Sequence, residues 1–172
     1  MKTNTKTRKT IRDITISAMI AAVYIAVTSA VAPFGFEAIQ FRVSEALTVL
    51  PFIFPQSIMG IFIGCLISNL LSPFGALDII LGSLASLIAA IWTSRMKSKY
   101  LAPLPPVVVN AVVVGFLIAF SASGNSFSGF NMAIFYTNVA TVGLSQAVVC
   151  YGLGLPLITV MQKLFKKLEG EK

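Results

Sequence analysis

Histidine is absent from this chain. Its absence removes imidazole bases and His-ligated metals, and with them much of ordinary acid–base and zinc chemistry. The two cysteines, Cys65 and Cys150, form neither a CxxC pair nor any other metal-ligand spacing. Both lie inside apolar runs, where a thiol says little about redox compartment. No GxxxxGK[ST] phosphate loop occurs, so the chain does not hydrolyse ATP by that route. Charge of either sign is scarce: 11% of residues are charged and only six are acidic. A soluble domain carries about one quarter charged residues, so a soluble enzyme with a large core is excluded.

What is present is apolar. Hydrophobic residues make up 56% of the 172 positions, and the mean hydropathy is +0.88. Runs such as 14–32 are long enough to cross a bilayer core of roughly 30 Å as helix. The sequence therefore predicts an all-α membrane protein. A secretory leader is the rival for the N-terminus, because Lys2, Lys6, Arg8, Lys9 and Arg12 precede a run ending in Ala30-Val31-Ala32. Pro33 directly after that site disfavours cleavage, and the run is long for a signal core.

Apolar segments fall at 14–32, 43–54, 57–72, 78–94, 103–121 and 134–161. Residues 43–71 could also form one helix kinked at Pro51 and Pro55. Positive charge decides between these drawings, since cytoplasmic loops collect Lys and Arg. With six spans, the N-terminal cluster, the Arg95-Lys97-Lys99 loop and the Lys163-Lys166-Lys167 tail share one side. The expectation is a single membrane domain over 1–172, with a basic cytoplasmic segment at 1–12. A six-helix bundle occupies 13–162, a basic tail 163–172, and both termini are cytoplasmic. The far-side loops are then 33–42, 73–77 and 122–133, the last polar and mobile by composition.

Residues 34–47, FGFEAIQFRVSEAL, place Glu37, Gln40, Arg42 and Glu45 between strongly apolar segments. A charge at bilayer depth costs on the order of 3 kcal/mol, so such residues face a cavity or a partner. Arg42 and Glu45 are three apart and share a helical face, which allows a mutual salt bridge, a recognition pair, or both. Asp78 precedes an apolar run and suits a helix N-cap as well as a binding role. Asn69, Asn138 and Gln146 are uncharged and suit interhelical hydrogen bonds. Asn138 and Gln146 share one stripe, which with Tyr136 could wall an outward pocket; Asn110 is assigned to helix packing. Ala18, Ala22 and Ala26 repeat every four residues, and Gly60 and Gly64 form GxxxG. Such small-residue stripes serve either bundle packing or docking onto another membrane protein.

The run IQFRVSEALTVLPFIFP and the following GIFIGCLISNLLSPFGALDIILGSLASLIAA resemble the S components of energy-coupling-factor (ECF) transporters. More narrowly, they resemble the QueT family. The resemblance covers residues 10 to 165 and is densest between 34 and 90. It implies a six-helix, S-component-like bundle that captures a queuosine precursor, a deazaguanine base or relative, near the outer face. It also implies a lid formed by the loop at 34–42 and a membrane-embedded coupling protein meeting Ala18, Ala22 and Ala26. Energy would come from two ATPase subunits on other chains, so the chain itself is no enzyme. No cofactor, metal or nucleic acid is implied; membrane lipid is. The substrate contacts expected on topology and chemistry are Glu37, Gln40, Arg42, Glu45, Asn69, Asp78, Tyr136, Asn138 and Gln146. Other readings are an S component for another vitamin, a solitary secondary transporter, an intramembrane enzyme, and a non-transporting assembly subunit.

Overall fold

The computed structural model describes residues 5–31 and 42–170. Among these, helix is the regular structure, arranged as α1 (Thr5–Ala30), α2 (Val43–Phe52), α3 (Ser57–Leu71), α4 (Asp78–Ser94), α5 (Leu104–Ala122) and α6, which starts at Met132. Helix α6 passes through a π turn at Cys150–Gly154 and continues as Leu155–Gly170. Helix α1 starts earlier than the apolar run, at Thr5, so Lys6, Arg8, Lys9 and Arg12 are themselves helical. The segments 7–30, 104–122 and 132–164 are long and apolar enough to cross a membrane; α2, α3 and α4 are shorter apolar helices.

Helix α2 departs from the expected α-helix. It is a 3-10 helix of 10 residues with Pro51 inside it. Proline has no N–H to give, and the tighter winding also changes length. A 3-10 helix rises about 2.0 Å per residue against 1.5 Å for an α-helix, so ten residues reach about 20 Å rather than 15 Å. Its three-residue period stacks Arg42, Glu45, Thr48 and Pro51 on one face, and all four are buried.

Contacts give the helix directions. Gly60 lies against the Ser17 backbone and Gly64 against Ala21 and Tyr24, so α1 and α3 run parallel. Between them α2 runs the opposite way: Thr28 Oγ1 donates to Ser44 Oγ at 2.7 Å at one end, and the Ser17 hydroxyl donates to the Gln56 carbonyl at the other. Ser86 Oγ meets Cys65 Sγ, while Asn69 meets Ser83, which sets α4 antiparallel to α3. Gly115 packs on Val139 and Gly143 on Ala111, which makes α5 and α6 antiparallel. The result is an up-and-down bundle in which the start of α1, the Arg95–Lys99 turn and the end of α6 share one end. Gly60 and Gly64 are therefore spent on internal packing, because backbone at that distance leaves no room for a Cβ.

Burial is inverted relative to a soluble protein. Ile14, Met19, Ile80, Ile88, Leu144, Val148 and Val160 are exposed around the outside, as a lipid-facing surface requires. The interior instead holds Thr28, Arg42, Ser44, Glu45, Thr48, Asn69, Asp78, Ser83, Ser86, Asn110, Ser145 and Gln146. Small apolar clusters flank them: Tyr24, Ile61, Cys65 and Ala90 on one side, and Val49, Ala102, Cys150 and Ile158 on the other. In hydrocarbon an unpaired polar group costs several kcal/mol, so these side chains point inward toward each other.

The segment at 122–133 is built rather than loose. A 3-10 turn covers Phe127–Gly129, and the Asn131 side chain accepts from Ala133 N at 2.8 Å as the cap of α6. Its aromatics form a ladder with the neighbouring helices, in which Phe120–Phe127 centroids are 5.0 Å apart and Phe116–Phe130 centroids 5.7 Å.

Candidate functional site

Three irregular backbones meet around one group of side chains: 3-10 helix α2, the π turn Asp78–Gly82 that opens α4, and the π turn in α6. π turns recur at functional sites because they re-aim side chains out of the regular helical phase. Here the π turn of α4 carries Asp78, which meets Arg42, and that of α6 carries Cys150, whose thiol meets the Glu45 carbonyl.

Arg42 sits at the entrance to α2. Its guanidinium donates to Asp78 Oδ2 at 2.8 Å and to Asn69 Oδ1 at 2.9 Å. The ion pair that forms is therefore Arg42–Asp78, across helices, and not Arg42–Glu45 along one helix. Asp78 is not the N-cap of α4 either; the helix is already under way, and no side-chain cap bond forms. Its Oδ2 instead takes Arg42 and the Ser72 hydroxyl, the latter at 2.6 Å. Asn69 completes the knot by donating through Nδ2 to the Asp78 carbonyl at 2.9 Å. Gly82 is required here: a Cβ at that position would run into Asp78 Oδ1 and Asn69 Nδ2.

Glu45 lies one 3-10 turn deeper and is 1% exposed. Tyr24 Oη, from α1, donates to Oε1 at 2.6 Å, and Asn110 Nδ2, from α5, donates to Oε2 at 3.1 Å. Cys150 Sγ approaches both the Glu45 carbonyl at 3.6 Å and Gln146 Oε1 at 3.7 Å. The side chains of Arg42, Glu45, Ser86, Asn110 and Gln146, with Gly82, Val114 and Val142, enclose a cavity of about 10 Å³. That is room for about one water.

The structure thus brings together Arg42, Glu45, Asn69, Asp78 and Gln146 from the expected set. Glu37 and Gln40 lie outside the described residues. Tyr136 does not join: it is 65% exposed, at the end of the aromatic ladder beside Phe135. Asn138 turns its amide back to the Ile134 carbonyl of its own helix at 2.9 Å. The Tyr136–Asn138–Gln146 stripe therefore splits, and only Gln146 reaches the cavity. Asn110, which the sequence assigns to helix packing, bonds across helices to Glu45 and lies at the centre, and Tyr24 joins it. Both signals were in the sequence, as an amide and a phenol inside apolar runs, but the depth at which α5 and α1 cross α2 was not.

A second feature lies outside the bundle. Ala18 and Ala22, with Ile14, Ser17, Ala21, Ile25, Gln56, Met59 and Ile63, line an open groove of about 730 Å³ between α1 and α3. Ala26 is likewise exposed on α1.

The family described as "QueT transporter" matches residues 14–163 of this chain. The chain belongs to the QueT transporter family. A curated relative from Lactococcus lactis subsp. cremoris (strain MG1363), described as "Queuosine precursor transporter QueT", is 40% identical over 94 residues. That stretch is 51% of this chain and 55% of the relative, so the chain spans about half the length of the curated relative it matches. No solved structure matches the chain.

Proposed function

We propose that the chain is the substrate-binding component of an ECF-type importer and captures a queuosine precursor, a deazaguanine base, from the outer face of the cell membrane. The observation that carries this is the buried group Arg42, Glu45, Asp78, Asn69, Asn110 and Gln146 inside a bundle whose outside is apolar. Intramembrane charge is costly and marks a binding or transport role. Family membership and the name of the curated relative supply the cargo class. The two carboxylates and one guanidinium of the described site sum to −1, which favours a base carrying a cationic substituent over an anionic one.

The orientation follows from charge. Arg8, Lys9, Arg12, Arg95, Lys97, Lys99, Lys163, Lys166 and Lys167 all belong to the end that holds the start of α1 and the end of α6, which on this reading is cytoplasmic, with the Arg42–Asp78 end external. The chain crosses the membrane six times on this reading. On this reading energy comes from partner ATPase subunits, and the lack of a phosphate loop in the sequence is compatible with that. The groove between α1 and α3, floored by Ala18 and Ala22, is the face offered to a membrane-embedded coupling protein, since small residues let helices approach closely.

The test has two parts. The full chain is extracted in mild detergent and the co-purifying small molecule identified by mass spectrometry; a deazaguanine base is expected. Uptake of that base into liposomes is then compared with and without the ATPase partners. A chain that binds no heterocycle, or that transports by itself on an ion gradient, overturns the proposal.

A further inference from the structure

Glu45 and Asn110 form one continuous row of hydrogen-bonding groups. Tyr24 Oη holds Oε1 at 2.6 Å and Asn110 Nδ2 holds Oε2 at 3.1 Å, so the carboxylate is clamped from both ends. A carboxylate has about four acceptor sites, and each of these oxygens has used one, on Tyr24 and Asn110 respectively. The Asn110 amide has two N–H groups and gives one to Glu45. Along the row the groups are acceptor at Oε1, acceptor at Oε2 and donor at Nδ2. Glu45 and Asn110 both border the cavity, with the branched apolar side chains of Val114 and Val142 and the bare backbone of Gly82 in the same wall. Gln146, 4% exposed, borders it too; its Oε1 accepts from Cys150, and its Nε2 has no partner among the described residues. Its Nε2 N–H groups border the cavity and can donate to an acceptor on whatever enters.

We propose that Glu45 and Asn110 together act as a composite edge that pairs with a planar heterocycle presenting donor, donor and acceptor in a row. A 2-amino-oxo-pyrimidine ring has that edge: the exocyclic amine, the ring N–H and the oxo group. Gln146 Nε2 meets a second acceptor on the same bicycle. This rests on the proposed function and narrows it, because the chain then selects for the amine and the oxo group and not merely for a flat polar ring. Asp78 has no part in the selection. Its Oδ2 is held by Arg42 and Ser72, its Oδ1 lies against Gly82, and it is not in the cavity wall. It is a positioning residue that fixes Arg42. A cavity of about 10 Å³ is far below the roughly 300 Å³ at the small end of ligand pockets, so α2 and the wall of α4, α5 and α6 move apart as the ring enters.

Equilibrium binding to the purified full-length chain decides this with three probes. They are 7-deazaguanine, 7-deazahypoxanthine, which lacks the amine, and 6-thio-7-deazaguanine, which keeps the ring N–H but exchanges the oxo group for a poor acceptor. The wild type is expected to prefer 7-deazaguanine at least tenfold over the first analogue and at least threefold over the second. Asn110→Ala erases the preference over the thio analogue and keeps the preference for the amine; Glu45→Gln weakens 7-deazaguanine at least tenfold and the desamino analogue less. Equal wild-type affinity for all three, or a uniform loss for all three in Asn110→Ala, overturns the composite edge even though the base still binds. If either variant fails to fold, the wild-type ratios decide alone. Failure of the wild type to bind any of the three overturns the functional reading itself.

Discussion

Arg42 at the mouth of α2 and Asp78 in the first turn of α4 close an ion pair of 2.8 Å, with side chains 6% and 1% exposed. Removing one partner of such a pair strands a buried charge and costs about 3–5 kcal/mol, whereas removing both costs less. Asp78→Asn is expected to lower the unfolding midpoint sharply in detergent. The double variant Arg42→Gln/Asp78→Asn should lose less than the sum of the two single changes. A double-mutant cycle measures the coupling, expected at about 1–3 kcal/mol. A coupling near zero would show that the pair does not hold α2 to α4.

Two glycine-to-alanine changes should have opposite effects. At Gly60 an added Cβ runs into the Ser17 backbone, which can yield only if α1 and α3 separate. Overpacking of this kind costs about 1–3 kcal/mol. At Gly152 no atom lies within 4 Å of the added Cβ. There alanine reduces the freedom of the unfolded chain and gains about 0.5–1 kcal/mol. Thermal unfolding of the two variants side by side checks both signs; equal effects would refute the close approach of α1 and α3.

Tyr24→Phe isolates one hydrogen bond. The ring stays packed over Gly64, while the donor to Glu45 Oε1 is lost. A hydrogen bond to a charged group contributes about 1.5–3 kcal/mol, so affinity for the base should fall roughly tenfold or more as Glu45 loses its fixed orientation. Tyr24→Phe binding indistinguishable from wild type would mean that Asn110 alone orients the carboxylate.

Ala18→Trp fills the groove between α1 and α3 without touching the cavity at Glu45. On the proposed function, binding of the base to the isolated chain is expected to stay within twofold of wild type, while ATP-dependent uptake with the proposed partners collapses. Uptake at the wild-type rate would remove the groove as the coupling face.

Composition and hydropathy were enough to determine that this is an all-helical membrane protein with six apolar segments, and to mark Arg42, Glu45, Asn69 and Asp78 as the polar groups that such a setting cannot leave unpaired. Hydropathy sums along the chain, so it needs no knowledge of neighbours. Even the shared face of Arg42 and Glu45 is local, since residues three apart align in either a 3-10 or an α-helix. Partnership is not local. Arg42 turned to Asp78 and Glu45 to Tyr24 and Asn110 because α2 winds as a 3-10 helix, α4 opens with a π turn, and Gly60, Gly64 and Gly82 let backbones close to contact. Those choices depend on where helices far apart in sequence cross. Only the folded bundle could bring Asn110 to Glu45 and leave Tyr136 exposed beside the aromatic ladder.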